Sequence, residues 1–218
     1  MILAQDLCQV CAPSGNEITR VLRTLVPAPD VLWLTPHTLA EIEDDVRRVA
    51  RRLGCEAQGN DVVARMRTRL ASAQKCVAGR PRPRVLFVEW TDPVYCAGHW
   101  VPEMIALAGG DDALARAGEN SVRVEWRDIA RWSPEVLVVA PCGYGVDEAA
   151  RQARELLAQD EWASLPAVQR GAVFAVDANA YFARPGPRVA EGVELLAHLL
   201  HSDCATWNGP GDAWCRCA

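Results

Sequence analysis

Three unbroken apolar runs decide most of what this chain can fold into: Val85-Leu86-Phe87-Val88, Val136-Leu137-Val138-Val139 and Val173-Phe174-Ala175-Val176. A strand with one wet face alternates apolar and polar residues. A run without alternation has to be covered on both faces, which is the situation of a parallel sheet with helices above and below it. Each run is followed by a helix signal. After the first, Pro102 and Glu103 suit a first turn and Gly109-Gly110 a stop. After the second, Cys142-Gly143-Tyr144-Gly145 turns into a helix with Ala149, Ala153, Leu156 and Leu157 inward. After the third, the loop Asp177 to Gly186 leads to a helix opening at Pro187 with Val189, Val193, Leu196 and Leu199 on one side. Strand and helix in alternation predict an α/β, Rossmann-like, doubly wound parallel sheet over residues 81–203. Val122-Arg123-Val124 reads as a weak additional strand, and the Ile129 region as a short helix stopped by Pro134.

Upstream, Ile2-Leu3-Ala4 and Val31-Leu32-Trp33-Leu34 read as strands flanking a short helix with Ser14 or Asn16 as cap. Thr38 with Glu41 makes a capping box, and the helix it opens ends at Gly54. Asp61 is expected to cap a further helix that ends before Gly79-Arg80-Pro81-Arg82-Pro83. Two strands and a short helix cannot bury a core of their own. Residues 1–36 are therefore expected to be the remnant of an N-terminal α/β lobe, residues 37–80 a helical connector, and residues 204–218 a mobile tail. An N-terminally truncated chain would explain the incomplete lobe.

In an open α/β sheet the loops at the carboxyl ends of the strands form the ligand crevice. Here those loops hold Trp90, Tyr95 and Trp100, then Tyr144, then Tyr181 and Phe182, six of the fourteen aromatics. Flat apolar walls suit a large planar ligand. Arg184, beside the stiff Pro185-Gly186-Pro187, is placed to meet an amide carbonyl or a phosphate. Glu89 with Asp92 reads either as an acid/base pair or as caps on loop amides, and His99 as a metal ligand or a cleft-edge histidine.

The net charge of −5, with basic residues scattered among acids, excludes a nucleic-acid footprint. No run approaches the roughly 18 apolar residues of a membrane span, and the first residues lack the basic and apolar regions of a secretory leader. The nine cysteines follow no framework spacing. Cys8-x-x-Cys11 stands alone without a second pair at zinc-finger distance. The Cys142-Gly143-Tyr144-Gly145 turn lacks the lysine of a phosphate loop.

The stretches V-L-F-V-E-W-T-D-P-V-Y, A-G-H-W-V-P-E-M, A-L-A-G-G, W-S-P-E-V-L-V-V-A-P-C-G and Y-F-A-R-P-G-P-R resemble the solute-binding proteins of ABC importers for vitamin B12 and iron chelates. The B12-binding group is the nearest. The resemblance implies a class III periplasmic binding protein, two α/β lobes joined by a long helix that fits residues 58–78, with no catalysis and no permanent cofactor. It implies a corrinoid ligand, with Trp90 against the corrin, Arg184 reaching the ligand, and Gln5 near a first-lobe aromatic contact. An acidic contact expected just before Tyr181 is replaced by Ala180. The family's first-lobe docking glutamate has no counterpart in this sequence. The second aligns near Arg127, with Glu125 and Asp128 beside it for contact with a permease. Location would be extracytoplasmic. The alternatives left open are a metal or iron-chelate binder, a cytosolic corrinoid carrier or sensor, and an enzyme using Cys8, Cys11, Cys96, His99 and Cys142.

Overall fold

The computed structural model describes residues 1–6, 15–27 and 29–218. Cys8, Cys11 and the Ser14 cap lie outside the described residues. Strands β1 (Ile2–Ala4) and β2 (Val31–Trp33) flank helix α1 (Gly15–Leu22) and pair in parallel, Ile2 opposite Val31, as a separate two-stranded sheet. Helix α2 (Leu39–Leu53) opens on the expected capping box: the Thr38 hydroxyl accepts from Glu41 N at 3.2 Å, and the Glu41 carboxylate from Thr38 N. It ends at Gly54 with φ 68°, a left-handed cap that a side chain would strain. Helix α3 (Glu56–Cys76) begins earlier than an Asp61 cap would allow, because Cys55 already leaves the α2 cap in position to start it. Arg67 of α3 reaches the buried Glu43 of α2 at 2.6 Å.

The C-terminal half follows in the order β3 (Val85–Thr91), β4 (Val94–Cys96), α4 (Val101–Leu107), α5 (Trp126–Trp132), β5 (Val136–Val139), α6 (Val146–Leu157), α7 (Pro166–Gln169), β6 (Val173–Val176), α8 (Ala178–Tyr181), α9 (Val189–Leu200) and β7 (Trp214–Arg216). The five strands form one sheet in the order β4-β3-β5-β6-β7. The central three are parallel, with Val85 opposite Val136 and Val138 opposite Phe174, and the two edges are antiparallel.

All twelve residues of the three apolar runs are buried, as runs without alternation require. Successive side chains then divide between two helical layers. Ala175 packs against Ala149 and Ala150 of α6. Phe174, one residue back, sets its ring edge-on to Trp214, whose ring meets His198 of α9. Helix α9 in turn packs on α4 and α3. Arg69 of α3 bonds both oxygens of Glu194 at 2.6 and 2.9 Å and reaches Glu191 at 2.9 Å, so the connector lies along the last helix.

Further expectations change. The loop after Val88 is instead a hairpin: β3 runs on to Thr91, turns at Asp92-Pro93, and returns as β4 with Trp90 opposite Tyr95. Residues 122–124 then lie along that hairpin, giving Cys96 N to Val122 O and Val124 N to Val94 O, without becoming a regular strand. Residues 204–218 are no mobile tail. They bury Ala205 and Ala213 and deliver β7 to the edge of β6, Ala175 opposite Cys215. Deleting residues 206–218 uncovers that edge and removes Trp214 from Phe174. Urea unfolding should show a loss of at least ~2 kcal/mol, where a mobile tail would cost nothing.

Candidate functional site

The carboxyl ends of β3, β5 and β6 are tied together by backbone. Ala140 N donates to Val88 O at 2.9 Å and Cys142 N to Glu89 O at 3.1 Å, so the turn after β5 rests on β3. Asn179 N donates to Tyr144 O at 3.3 Å, so the turn after β6 rests on the turn after β5. Parallel strands that end in register force this meeting.

On this edge stand three of the six aromatics expected there. Trp90 and Tyr144 face each other with ring centres 6.4 Å apart and planes 37° from parallel. Tyr144 is 38% exposed, a large ring left open to solvent. The Trp90 indole is braced by its own N–H, which donates to Asp92 O at 3.0 Å. Tyr95 is half-buried across the hairpin from Trp90. Arg184 is exposed, and its guanidinium lies 3.5 Å from the Asn179 side-chain oxygen.

The other three aromatics are core residues, which corrects their expected place on the cleft wall. Trp100, Tyr181 and Phe182 are exposed by 5%, 6% and 2%. A ring at the start of a helix goes inward when its polar atom finds a partner, and Trp100 Nε1 donates to Phe182 O at 2.9 Å. Phe182 meets Phe87 of β3 edge-on at 5.1 Å, and Tyr181 meets Trp207 at 5.6 Å. Burial raises the Tyr181 phenol pKa, with Glu191 adding to it. These residues anchor the loop that presents Arg184.

Glu89 also turns inward. Its carboxylate accepts from Gly98 N at 3.2 Å and from the Ser121 hydroxyl, pinning residues 98 and 121 beneath the hairpin. A Cβ at Gly98 would come within 2.2 Å of Ser121 N, so the close approach needs glycine. Burial pushes the Glu89 carboxyl up to about 7, against the bonds from Ser121 and Gly98 that lower it. Burial likewise lifts Asp112 to about 6. Asp92 is exposed at the hairpin turn and forms no pair with Glu89.

His99 has φ 53° and sets its ring 5.2 Å from His37, which directly precedes the α2 cap. Together with Leu39 N donating to Glu103 at 2.8 Å, this joins the exit from β2 to the C-terminal sheet. Nothing in the spacing links residues 37 and 99, and Asn179 likewise carries no sequence signal of its bridging position. Gln5 is half-buried directly after β1, at the carboxyl end of the small sheet. Among the described residues no three His, Cys, Asp or Glu side chains converge as metal ligands. Cys96 is buried with its thiol on Leu114 O, and burial pushes its pKa to about 11. Glu125 pairs with Arg123 at 3.3 Å, and Asp128 with Arg127 and Arg131 at 3.7 Å, on the exposed side of α5. A cavity of about 390 Å³ lies on the outer flank of the hairpin, lined by Asp92, Arg123, Trp126, Gln152, Glu155 and Trp162. Trp90, Tyr144 and Arg184 do not line it, and Tyr144 and Arg184 are open to solvent.

With the two sheets and this edge in view, residues 22–180 match the family described as periplasmic binding protein. The chain belongs to the periplasmic binding protein family. No curated protein sequence matches it. Among solved structures, an ABC transporter substrate-binding protein from Listeria monocytogenes EGD-e superposes with TM-score 0.77 at 12% identity, covering 92% of this chain and 76% of that one. A periplasmic heme-binding protein from Pseudomonas aeruginosa gives TM-score 0.76 at 19% identity, over 96% and 75%. The periplasmic heme-binding protein RhuT from Roseiflexus sp. RS-1 gives 0.73 at 24%, over 93% and 75%. At these identities the likeness establishes the fold of this binding protein. No helix among its described residues is long and apolar enough to cross a membrane.

The buried Glu89 gives a pH test. In the folded chain it keeps its proton to about pH 7, against an ordinary value of 4.5. The native state therefore binds more protons between those values, and stability falls as pH rises through that window. Glu89→Gln cannot ionise and should remove about 2–3 kcal/mol of that decline, measured by urea unfolding at pH 5 and pH 8. An equal slope in both proteins would place the carboxylate in water.

Proposed function

We propose that this chain is the solute-binding component of an ABC importer and holds a planar, metal-bearing tetrapyrrole between its two sheets, outside the cytoplasm. The pairing of Trp90 with Tyr144 at the sheet edge carries this reading. Two large rings on a braced surface gain most from a rigid flat ligand, because stacking adds to area burial and costs little ordering. Arg184 fixes orientation from the loop after β6. It would pair with a propionate of a heme or donate to a propionamide carbonyl of a corrinoid, and the charged pair is the stronger. The heme-binding proteins among the similar structures favour the heme arm; the resemblance to B12-binding sequences favours the corrinoid arm. A compact iron chelate is the second reading, suggested by a similar structure described as a possible iron-binding protein. It would use Arg184 and leave Trp90 idle. Delivery to a permease across α5 would require Glu125 and Asp128 to exchange their arginine partners for those of the transporter.

Titrating the protein with cobalamin, hemin and a ferric chelate while following tryptophan fluorescence separates these readings. One tetrapyrrole should quench and saturate. Trp90→Ala should weaken it about tenfold or more. Arg184→Ala should weaken hemin about tenfold but cobalamin only about threefold. Saturation by the ferric chelate alone, unchanged in Trp90→Ala, would overturn the tetrapyrrole reading.

A further inference from the structure

Cys76 is the last residue of α3, and Cys204 lies in the turn after α9. The Cys76 thiol donates to Cys204 O at 3.0 Å, and the Cys204 thiol points back to Cys76 O at 3.5 Å. Each thiol therefore lies against the other residue's backbone, and the two thiols adjoin one another, the neighbourhood from which a disulfide forms. Both residues are half-buried thiols, so an oxidant can reach them.

We propose that Cys76 and Cys204 are a disulfide site that locks the connector helix to the C-terminal lobe. Two thiols each give up a proton and together two electrons to an incoming disulfide, such as oxidised glutathione; one S–S bond forms in the protein and two glutathione thiols are released. The surroundings hold both partners in place. Cys204 N and Ala205 N both donate to His201 O, and the His198 ring contacts Ala205 O at 2.9 Å, so the turn is fixed from α9. On the other side Arg80 pairs with Asp203. Burial and the adjoining Cys76 thiol raise the Cys204 pKa, and the Arg80 guanidinium acts against them.

Among the described residues, the other adjoining thiols, Cys215 and Cys217, are poorer candidates. Cys215 and Cys217 lie two residues apart along the edge of the sheet, where strand geometry holds their Cβ atoms about 6–7 Å apart, well beyond the roughly 4 Å of a disulfide. Oxidising them would require β7 to leave β6.

The bond has a mechanical consequence. Arg69 already ties the middle of α3 to Glu191 and Glu194 of α9. Closing the link at Cys76 makes the whole C-terminal part of α3 one body with the second sheet. Relative motion of the two sheets is then confined to the α2–α3 end. None of this depends on which ligand binds, so a failed ligand titration leaves it standing.

The test uses the full chain, equilibrated in glutathione buffers of rising oxidation, alkylated and digested with trypsin. The peptide beginning at Cys76 should be found linked to the peptide containing Cys204. Cys204→Ser should abolish the link and Cys215→Ser should leave it. The oxidised protein should melt about 10 °C above the reduced one, and Cys76→Ala should erase that difference. Alkylated Cys76 in the most oxidising buffer, or Cys76 linked elsewhere, overturns the site. A link without a rise in melting temperature overturns the bracing role.

Discussion

Three strands buried on both faces are the constraint from which the rest of this molecule follows. Because β3, β5 and β6 run parallel and in register, every return connection has to cross a face of the sheet, and every forward turn has to open on one edge. The backbone bonds from Ala140, Cys142 and Asn179 then stitch those turns to one another. An edge held this firmly can expose a tyrosine ring and an arginine steadied by Asn179 without losing their placement. Preorganisation of that sort is what a binding protein needs, since a ligand does not then have to order the site.

The core and the site share residues in a way that divides their labour. Phe182 and Tyr181 are adjacent in sequence to the loop carrying Arg184, yet both sit among Phe87, Trp100 and Trp207. Their burial sets where the arginine stands. Glu89 does the same for the hairpin, at the cost of holding a carboxyl in a place that favours its neutral form. Trp90 and Tyr144 are left to the solvent side.

How much of this was legible in the sequence can be judged element by element. Runs such as Val136–Val139 announce a sheet covered on both faces because burial forbids alternation. The Thr38–Glu41 box announces a helix start because few other arrangements satisfy the first amides. The β4 return was not legible, because Val94-Tyr95-Cys96 is too short to show a period, and its pairing comes from Trp90 across the turn. β7 was hidden for a different reason. Trp214-Cys215-Arg216 has no pattern of its own and is a strand because β6 has an edge to fill. Among the aromatics, sequence position gave the edge but not the direction. Trp90 lies within β3 and Trp100 at the start of α4, and the carbonyl of Phe182 gives the Trp100 indole the partner with which it turns in. Contacts such as His37 with His99 belong to the tertiary fold alone.

The most direct test is a structure of the full chain crystallised with the tetrapyrrole that binds it most tightly. The macrocycle should lie flat against the Trp90 ring in van der Waals contact, with a side-chain carboxylate or carbonyl bonded to Arg184. A ligand seated instead in the cavity between Arg123, Gln152 and Trp162, with Trp90 and Tyr144 untouched, would contradict the account.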